Sequence, residues 1–160
     1  SDSLYTAMES GKLHRNFMGY TASKTQLMIG LGVSSISDSW YSFAQNVKSL
    51  EEYEHLVENK IIPIYRGHIL TEEDQIIRGH ILNLMCRFET HWDPESKNLI
   101  FLEQILTRLR EMEKDELVEI SVNSIKVTEK GRPFIRNICM AFDLLLHRKA
   151  PETRLFSMTI

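Results

Sequence analysis

Three groups of residues in this 160-residue chain have types and spacing suited to chemistry. The stretch His14-Arg15-Asn16-Phe17-Met18-Gly19-Tyr20-Thr21 gathers a cationic pair, an amide and a phenol. Such a set can line a pocket for an anionic substrate, because charged donors bind carboxylates and phosphates strongly. It can equally be a strand end whose polar groups satisfy one another, and spacing alone leaves the two readings level. The second group is Gly30-Leu31-Gly32, two glycines of a dinucleotide-binding pattern that needs three. Glycine here serves either close strand packing or the approach of backbone to a ligand. The third group is the thiols and imidazoles. Cys86 and Cys139, with His14, His55, His68, His80, His91 and His147, show no spacing that builds a tetrahedral metal site. Glu89-Thr90-His91 is a chance neighbour of Cys86 in this reading, and no metal ligand is assigned. A [4Fe–4S] cluster needs at least three gathered thiolates, more than two separated cysteines supply. No nucleophile elbow or P-loop occurs.

Charge and composition narrow the field. Lys and Arg number 19 against 22 Asp and Glu, a net charge of −3. That balance argues against nucleic acid or an anionic membrane as the main partner. No apolar run approaches the ~18–20 residues a membrane helix requires. Two distant cysteines do not form a disulfide framework, which fits a reducing, cytoplasmic setting. The chain opens Ser1-Asp2-Ser3 without an initiator Met, as expected of a cut or engineered end.

The elements that must position these residues differ between the two ends of the chain. Leu4 to Met8, then Gly11, look like the last turns of a helix. The run Leu27-Met28-Ile29-Gly30-Leu31-Gly32-Val33 is almost wholly apolar, which suits a strand buried on both faces of a parallel sheet. Ser34 to Asn46 reads as its loop. From Ser49 the pattern turns to capped amphipathic helices. Ser49-Leu50-Glu51-Glu52 is a capping box, with Leu50, Tyr53, Leu56 and Val57 on the apolar face. An extended piece, Ile61 to Ile69, follows. Thr71-Glu72-Glu73-Asp74 starts a second helix, with Ile77, Ile81, Leu84, Met85 and Phe88 on one side. A third runs from about Leu99, with Leu102, Ile105, Leu106, Leu109 and Met112 inward. Leu117 to Ile120 and Ile125 to Val127 alternate as two strands about a turn. Thr128 caps a last helix with Pro133 in its first turns and Phe134, Ile135, Ile138, Cys139, Phe142, Leu145 and Leu146 as its stripe.

The fold class expected is α+β. Residues 1–46 read as the last strands of a larger α/β domain, and residues 47–160 as a mainly helical, winged-helix-like domain. A winged helix raises DNA binding, and charge decides against it. On the third helix Arg108, Arg110 and Lys114 face Glu103, Glu111, Glu113 and Asp115, so no basic stripe forms.

Several motifs, taken in order, resemble one family. They are His14 to Thr21, Gly30-Leu31-Gly32-Val33-Ser34-Ser35-Ile36-Ser37, and Tyr41-x-x-Ala44-Gln45-Asn46. Further matches are Arg66-Gly67, Arg78, Leu84-Met85-Cys86-x-Phe88, Asp115-x-Leu117-Val118, Val127-Thr128-x-x-Gly131-Arg132 and Arg136-Asn137-Ile138-Cys139-Met140-x-Phe142-Asp143. The family is the oxygen-independent coproporphyrinogen III oxidases, radical S-adenosylmethionine enzymes of haem biosynthesis. The chain resembles their C-terminal third. The resemblance implies conversion of two propionates of coproporphyrinogen III into vinyls, giving protoporphyrinogen IX. It also implies S-adenosylmethionine and a [4Fe–4S] cluster on a C-x-x-x-C-x-x-C loop in an N-terminal catalytic domain, a loop this sequence lacks. No cofactor is therefore expected on this chain alone, and no catalytic residue is assigned. By the same resemblance Ile36 contacts a second S-adenosylmethionine, with Gly30 and Gly32 beside it. His14, Arg15, Asn16 and Tyr20 would line the substrate cleft. Met18 stands where many relatives carry Gln.

Two other readings share these features. One is a family paralogue that binds or delivers haem, and the other is a free-standing winged-helix interaction module. By the resemblance residues 1–46 are the remnant of the last strands of a radical-SAM (β/α) barrel, and such a remnant, its neighbouring strands missing, is expected to self-associate through its open edge.

Overall fold

The computed structural model describes residues 2–93 and 99–144. They divide into two compact units, Ser1–Leu82 and Asn83–Ile160.

The first unit opens with α1 (Ser3–Glu9), where Asp2 Oδ1 accepts a hydrogen bond from Leu4 N at 2.8 Å. Gly11, at φ +67°, ends it in the left-handed conformation that frees the last carbonyls for capping. β1 (His14–Asn16) and β2 (Gly19–Thr21) then form a hairpin, Arg15 opposite Tyr20. β3 (Leu27–Met28), β4 (Ile36–Ser39), β5 (Ser42–Asn46) and, after α2 (Leu50–Glu58), β6 (Ile64–Ile69) make an antiparallel sheet in the order β3-β4-β5-β6.

This sheet corrects two expectations. Leu27 to Val33 is not a doubly buried parallel strand. Only Leu27 and Met28 pair, and Leu27, Ile29 and Leu31 are 59%, 67% and 81% exposed. Gly32 at φ +93° and Ser34 at φ +58° turn the backbone out of the extended region. Nor is Ser34 to Asn46 a loop. Ser39 Oγ accepts from Ser42 N at 3.0 Å and closes the turn at Trp40-Tyr41, so the polar run folds back as β4 and β5. No closed barrel is present among the described residues.

The helix starts expected at Ser49 and Thr71 hold. Ser49 Oγ accepts from Glu52 N at 3.3 Å and donates to Glu51 Oε2 at 2.6 Å, which holds the Glu51 carboxyl below its ordinary value. On α2, Tyr53 and Leu56 are half-buried while Leu50 and Val57 stay exposed. α3 (Glu72–Arg87) starts with a reciprocal pair: Asp74 N donates to Thr71 Oγ1 at 3.2 Å, and Thr71 N to Asp74 Oδ2 at 2.9 Å. Burial opposes the Asp74 charge, but these bonds and His68 hold its carboxyl low.

In the second unit β7 (Glu89–His91), α4 (Leu99–Lys114), β8 (Val118–Ile120) and β9 (Ser124–Val127) precede a short 3-10 turn, Arg132–Phe134, and α5 (Ile135–Met140). The sheet order is β7-β9-β8, all antiparallel. Leu84, Leu102, Ile105, Leu109, Val118, Ile125, Val127, Ile138 and Phe142 are buried and form its core. Each such side chain contributes about 1.5–3 kcal/mol. The hairpin lies where the alternation put it. β7 was unforeseen: Glu89-Thr90-His91 is a strand, with Thr90 buried. Thr128 does not cap the last helix directly. Its hydroxyl donates to Glu116 O at 2.7 Å, and Pro133 instead opens the 3-10 turn. Phe134 is exposed, off the expected stripe, and Leu145, Leu146 and His147 lie outside the described residues.

Candidate functional site

The candidate residues all fall in the first unit. On the β1–β2 hairpin, His14 is buried, while Arg15 and Asn16 are half-buried. The Arg15 guanidinium stands 5.7 Å from the centre of the Tyr20 ring, its cross-strand partner. Asn16 Oδ1 accepts from Met18 N at 2.8 Å and shapes the hairpin turn. Phe17 at the tip meets Phe43 of β5 edge to face, ring centres 5.1 Å apart.

The glycine loop between β3 and β4 is held from below. Asn46 is buried, and its Nδ2 donates to both Gly30 O (3.1 Å) and Gly32 O (2.9 Å). Gly32 N in turn donates to Tyr53 Oη at 3.0 Å. At Gly30 an added Cβ would stand 2.8–2.9 Å from the Ile36 backbone, so glycine here lets two backbone segments meet. At Gly32 the nearest atom to an added Cβ is Ser35 Oγ at 3.8 Å, and positive φ is what requires glycine. Gly30, Gly32 and Ile36 are thus brought together, with Ile36 on β4 opposite Gln45.

Asp38 lies on β4 two positions after Ile36 and is paired with Arg78. Arg78 Nη2 donates to Asp38 Oδ1 (2.9 Å) and Oδ2 (3.0 Å), and Nη1 donates to Ser39 O and Trp40 O at 3.1 and 3.3 Å. The same guanidinium stands 4.9 Å from the ring centres of both Trp40 and Phe43. Sequence reasoning passed over Asp38, Asn46 and Tyr53 as site-forming groups; their partners lie between 14 and 40 residues away.

Burial, then the charges of Lys24 and Arg78, push the His14 imidazole below its ordinary value of 6.5, against the pull of Asp38. Burial alone does the same at His80. Both rings therefore hold a proton less readily in the fold than in the unfolded chain, where the ordinary value of 6.5 applies. As pH falls through that value the unfolded state takes up protons that the folded state refuses, and stability declines. Urea midpoints are expected to drop from pH 7.5 to pH 5.5, with a smaller drop in a His14→Gln, His80→Gln chain. Equal or greater stability at pH 5.5 would contradict the assignment.

No protein-family model matches the chain. Among solved structures, coproporphyrinogen III oxidase (HemN) from Escherichia coli, described as a radical SAM enzyme, matches with a TM-score of 0.83 at 38% identity. That match covers 91% of this chain and 35% of the other. The oxygen-independent coproporphyrinogen III oxidase of Escherichia coli (strain K12) is 41% identical over 154 residues, covering 93% of this chain and 34% of the relative. The Synechocystis protein of the same name is 36% identical over 168 residues, covering 99% of this chain and 36% of the relative. The fold is therefore that of the C-terminal part of a radical SAM enzyme. More narrowly, the chain is a homologue of the oxygen-independent coproporphyrinogen III oxidases and spans about a third of their length.

Proposed function

We propose that this chain is the C-terminal part of an oxygen-independent coproporphyrinogen III oxidase, whose whole form decarboxylates two propionates of coproporphyrinogen III to vinyls. The observation that carries the reading is a match over 93% of the chain at 41% identity, joined to the structural match at TM-score 0.83. In this reading residues 1–46 end the catalytic domain. Residues 47–160 would form the helical, winged-helix-like domain; the order α3, β7, α4, β8–β9 supports this for the part after β6, which itself pairs with β5 in the first unit.

The residues present do not fit an iron–sulfur cluster. Cys86 and Cys139 are both buried, and among the described residues no three His, Cys, Asp or Glu side chains converge. S-adenosylmethionine and the cluster would supply radical chemistry in the whole protein, on the part that precedes this one. This chain's share is positioning. The open space at Gly32 and the half-buried Ile36 offer backbone and an apolar side to the cofactor, and Arg15 with Tyr20 offers donors to a propionate. Among the described residues no helix is long and apolar enough to cross a membrane. β6, exposed along its whole length, gives the isolated chain an open edge for pairing with a second copy.

Two measurements test this. Anaerobic reconstitution of the isolated chain with iron and sulfide is expected to leave no bound cluster and no S-adenosylmethionine cleavage. The reading frame extended upstream through a C-x-x-x-C-x-x-C loop is expected to form vinyls from coproporphyrinogen III. Stoichiometric iron retained by the isolated chain, or no turnover by the extended one, would overturn the reading.

A further inference from the structure

The first unit holds a cleft of about 460 Å³ lined by Lys24, Gln26, Leu27, Ser39, Trp40 and Tyr41, none of which the function above uses. That volume falls within the ~300–1,000 Å³ of small-molecule sites. Lys24 Nζ stands 3.9 Å from the Trp40 ring centre, and no carboxylate pairs with it among the described residues. Asp38, one residue before Ser39 on β4, does not neutralise it, because both Asp38 oxygens are committed to Arg78. The cleft therefore keeps one uncompensated ammonium against an indole, and a phenol and an aliphatic side chain also line it.

A hydrated surface lysine attracts any anion weakly. An ammonium drawn against an apolar wall prefers a ligand that brings an anion and a flat apolar body together, since both needs are then met at once. Gln26 and Ser39 add polar side chains at the same cleft. Phosphate would satisfy the ammonium and leave the walls uncovered.

We propose that this cleft binds a carboxylate borne on a flat unsaturated ring, Lys24 taking the carboxylate and Trp40, Tyr41 and Leu27 walling the ring. Resting on the function proposed above, the ligand is one propionate-bearing edge of the tetrapyrrole. The cleft is then a further substrate-positioning site, built from residues other than His14, Arg15, Asn16 and Tyr20 but near enough for the Lys24 charge to act on the His14 imidazole.

The chain has two tryptophans, so Trp92→Phe leaves Trp40 as the sole indole reporter. In that background coproporphyrin III, the stable oxidised form, is titrated while Trp40 emission is followed. Saturable quenching is expected, weakened roughly tenfold by Lys24→Gln, as for loss of one charge-assisted bond, and further by Lys24→Glu. Millimolar inorganic phosphate should not displace the porphyrin. Lys24 is exposed, and circular dichroism checks that its variants fold. The proposal is overturned by the absence of saturable quenching, by equal affinity in the Lys24 variants, or by displacement with phosphate. Vinyl formation by the upstream-extended protein is read separately. Its failure overturns the proposed function, whereas intact turnover beside Lys24-independent binding overturns the cleft alone.

Discussion

Arg78→Ala is expected to destabilise the first unit by about 3–5 kcal/mol. The Asp38 and Arg78 side chains are only 9% and 15% exposed, so neither charge has water to fall back on. Truncating the arginine strips a buried carboxylate of its counter-ion and two carbonyls, of Ser39 and Trp40, of their donor. It also removes the cation between Trp40 and Phe43. Arg78→Lys should recover little, because one ammonium cannot reproduce a planar fork that serves a carboxylate and two carbonyls together. Replacing the pair, Asp38→Leu with Arg78→Met, should be far milder than the single change, since no orphaned charge remains. Urea unfolding followed through Trp40 emission in the Trp92→Phe background measures all three. A loss below about 1 kcal/mol for Arg78→Ala would put this pair with ordinary surface ion pairs.

Gly131→Ala is expected to cost the second unit about 3 kcal/mol, at the upper end for overpacking. The new methyl would collide with the Leu117 carbonyl oxygen and lie 2.8 Å from its carbon. That carbonyl cannot swing aside, because it accepts from Thr128 N at 3.1 Å in the turn that leads to Gly131. Gly131 N itself donates to Thr128 Oγ1 at 3.0 Å, so neither side of the contact is loose. Gly79→Ala on α3 is the control of opposite sign. An added Cβ there meets nothing within 4 Å. Relief of glycine's helix penalty should stabilise by about 0.5–1 kcal/mol. Thermal midpoints by circular dichroism should move in opposite directions, and a shared direction would sink the steric account of Gly131.

The helices were legible because their signals are local. Ser49 and Thr71 announce helix starts within four residues, and Leu102, Ile105 and Leu109 show the 3.6-residue period on α4. The β8–β9 hairpin alternates in plain view. What stayed hidden depends on distant partners. Asp38 lies in a stretch of serines that reads as loop until Arg78, forty positions on, neutralises it. β7 is three residues long and exists because β9 pairs with it. The Leu27 to Val33 run misled because apolar composition does not report backbone sign, and Gly32 with Ser34 bends the chain before a strand can extend. At the site, the family motifs singled out the glycines and Ile36. Only geometry separates Gly30, needed for a backbone approach, from Gly32, needed for its φ.

The amide of Asn46 also bears on how this protein ages. Asparagine slowly deamidates when the next residue's backbone nitrogen attacks the side-chain carbonyl and closes a five-membered imide. Here Val47 N is occupied, donating to Pro63 O at 2.9 Å, and the Asn46 Nδ2 is tethered to two carbonyls. The folded chain thereby shields the bond that would be lost. A molecule that converts while unfolded would return with a carboxylate facing the oxygens of Gly30 and Gly32, an arrangement of acceptors with no proton between them. Such damage at position 46 should collect in the misfolded fraction of an old preparation and be scarce in the native one.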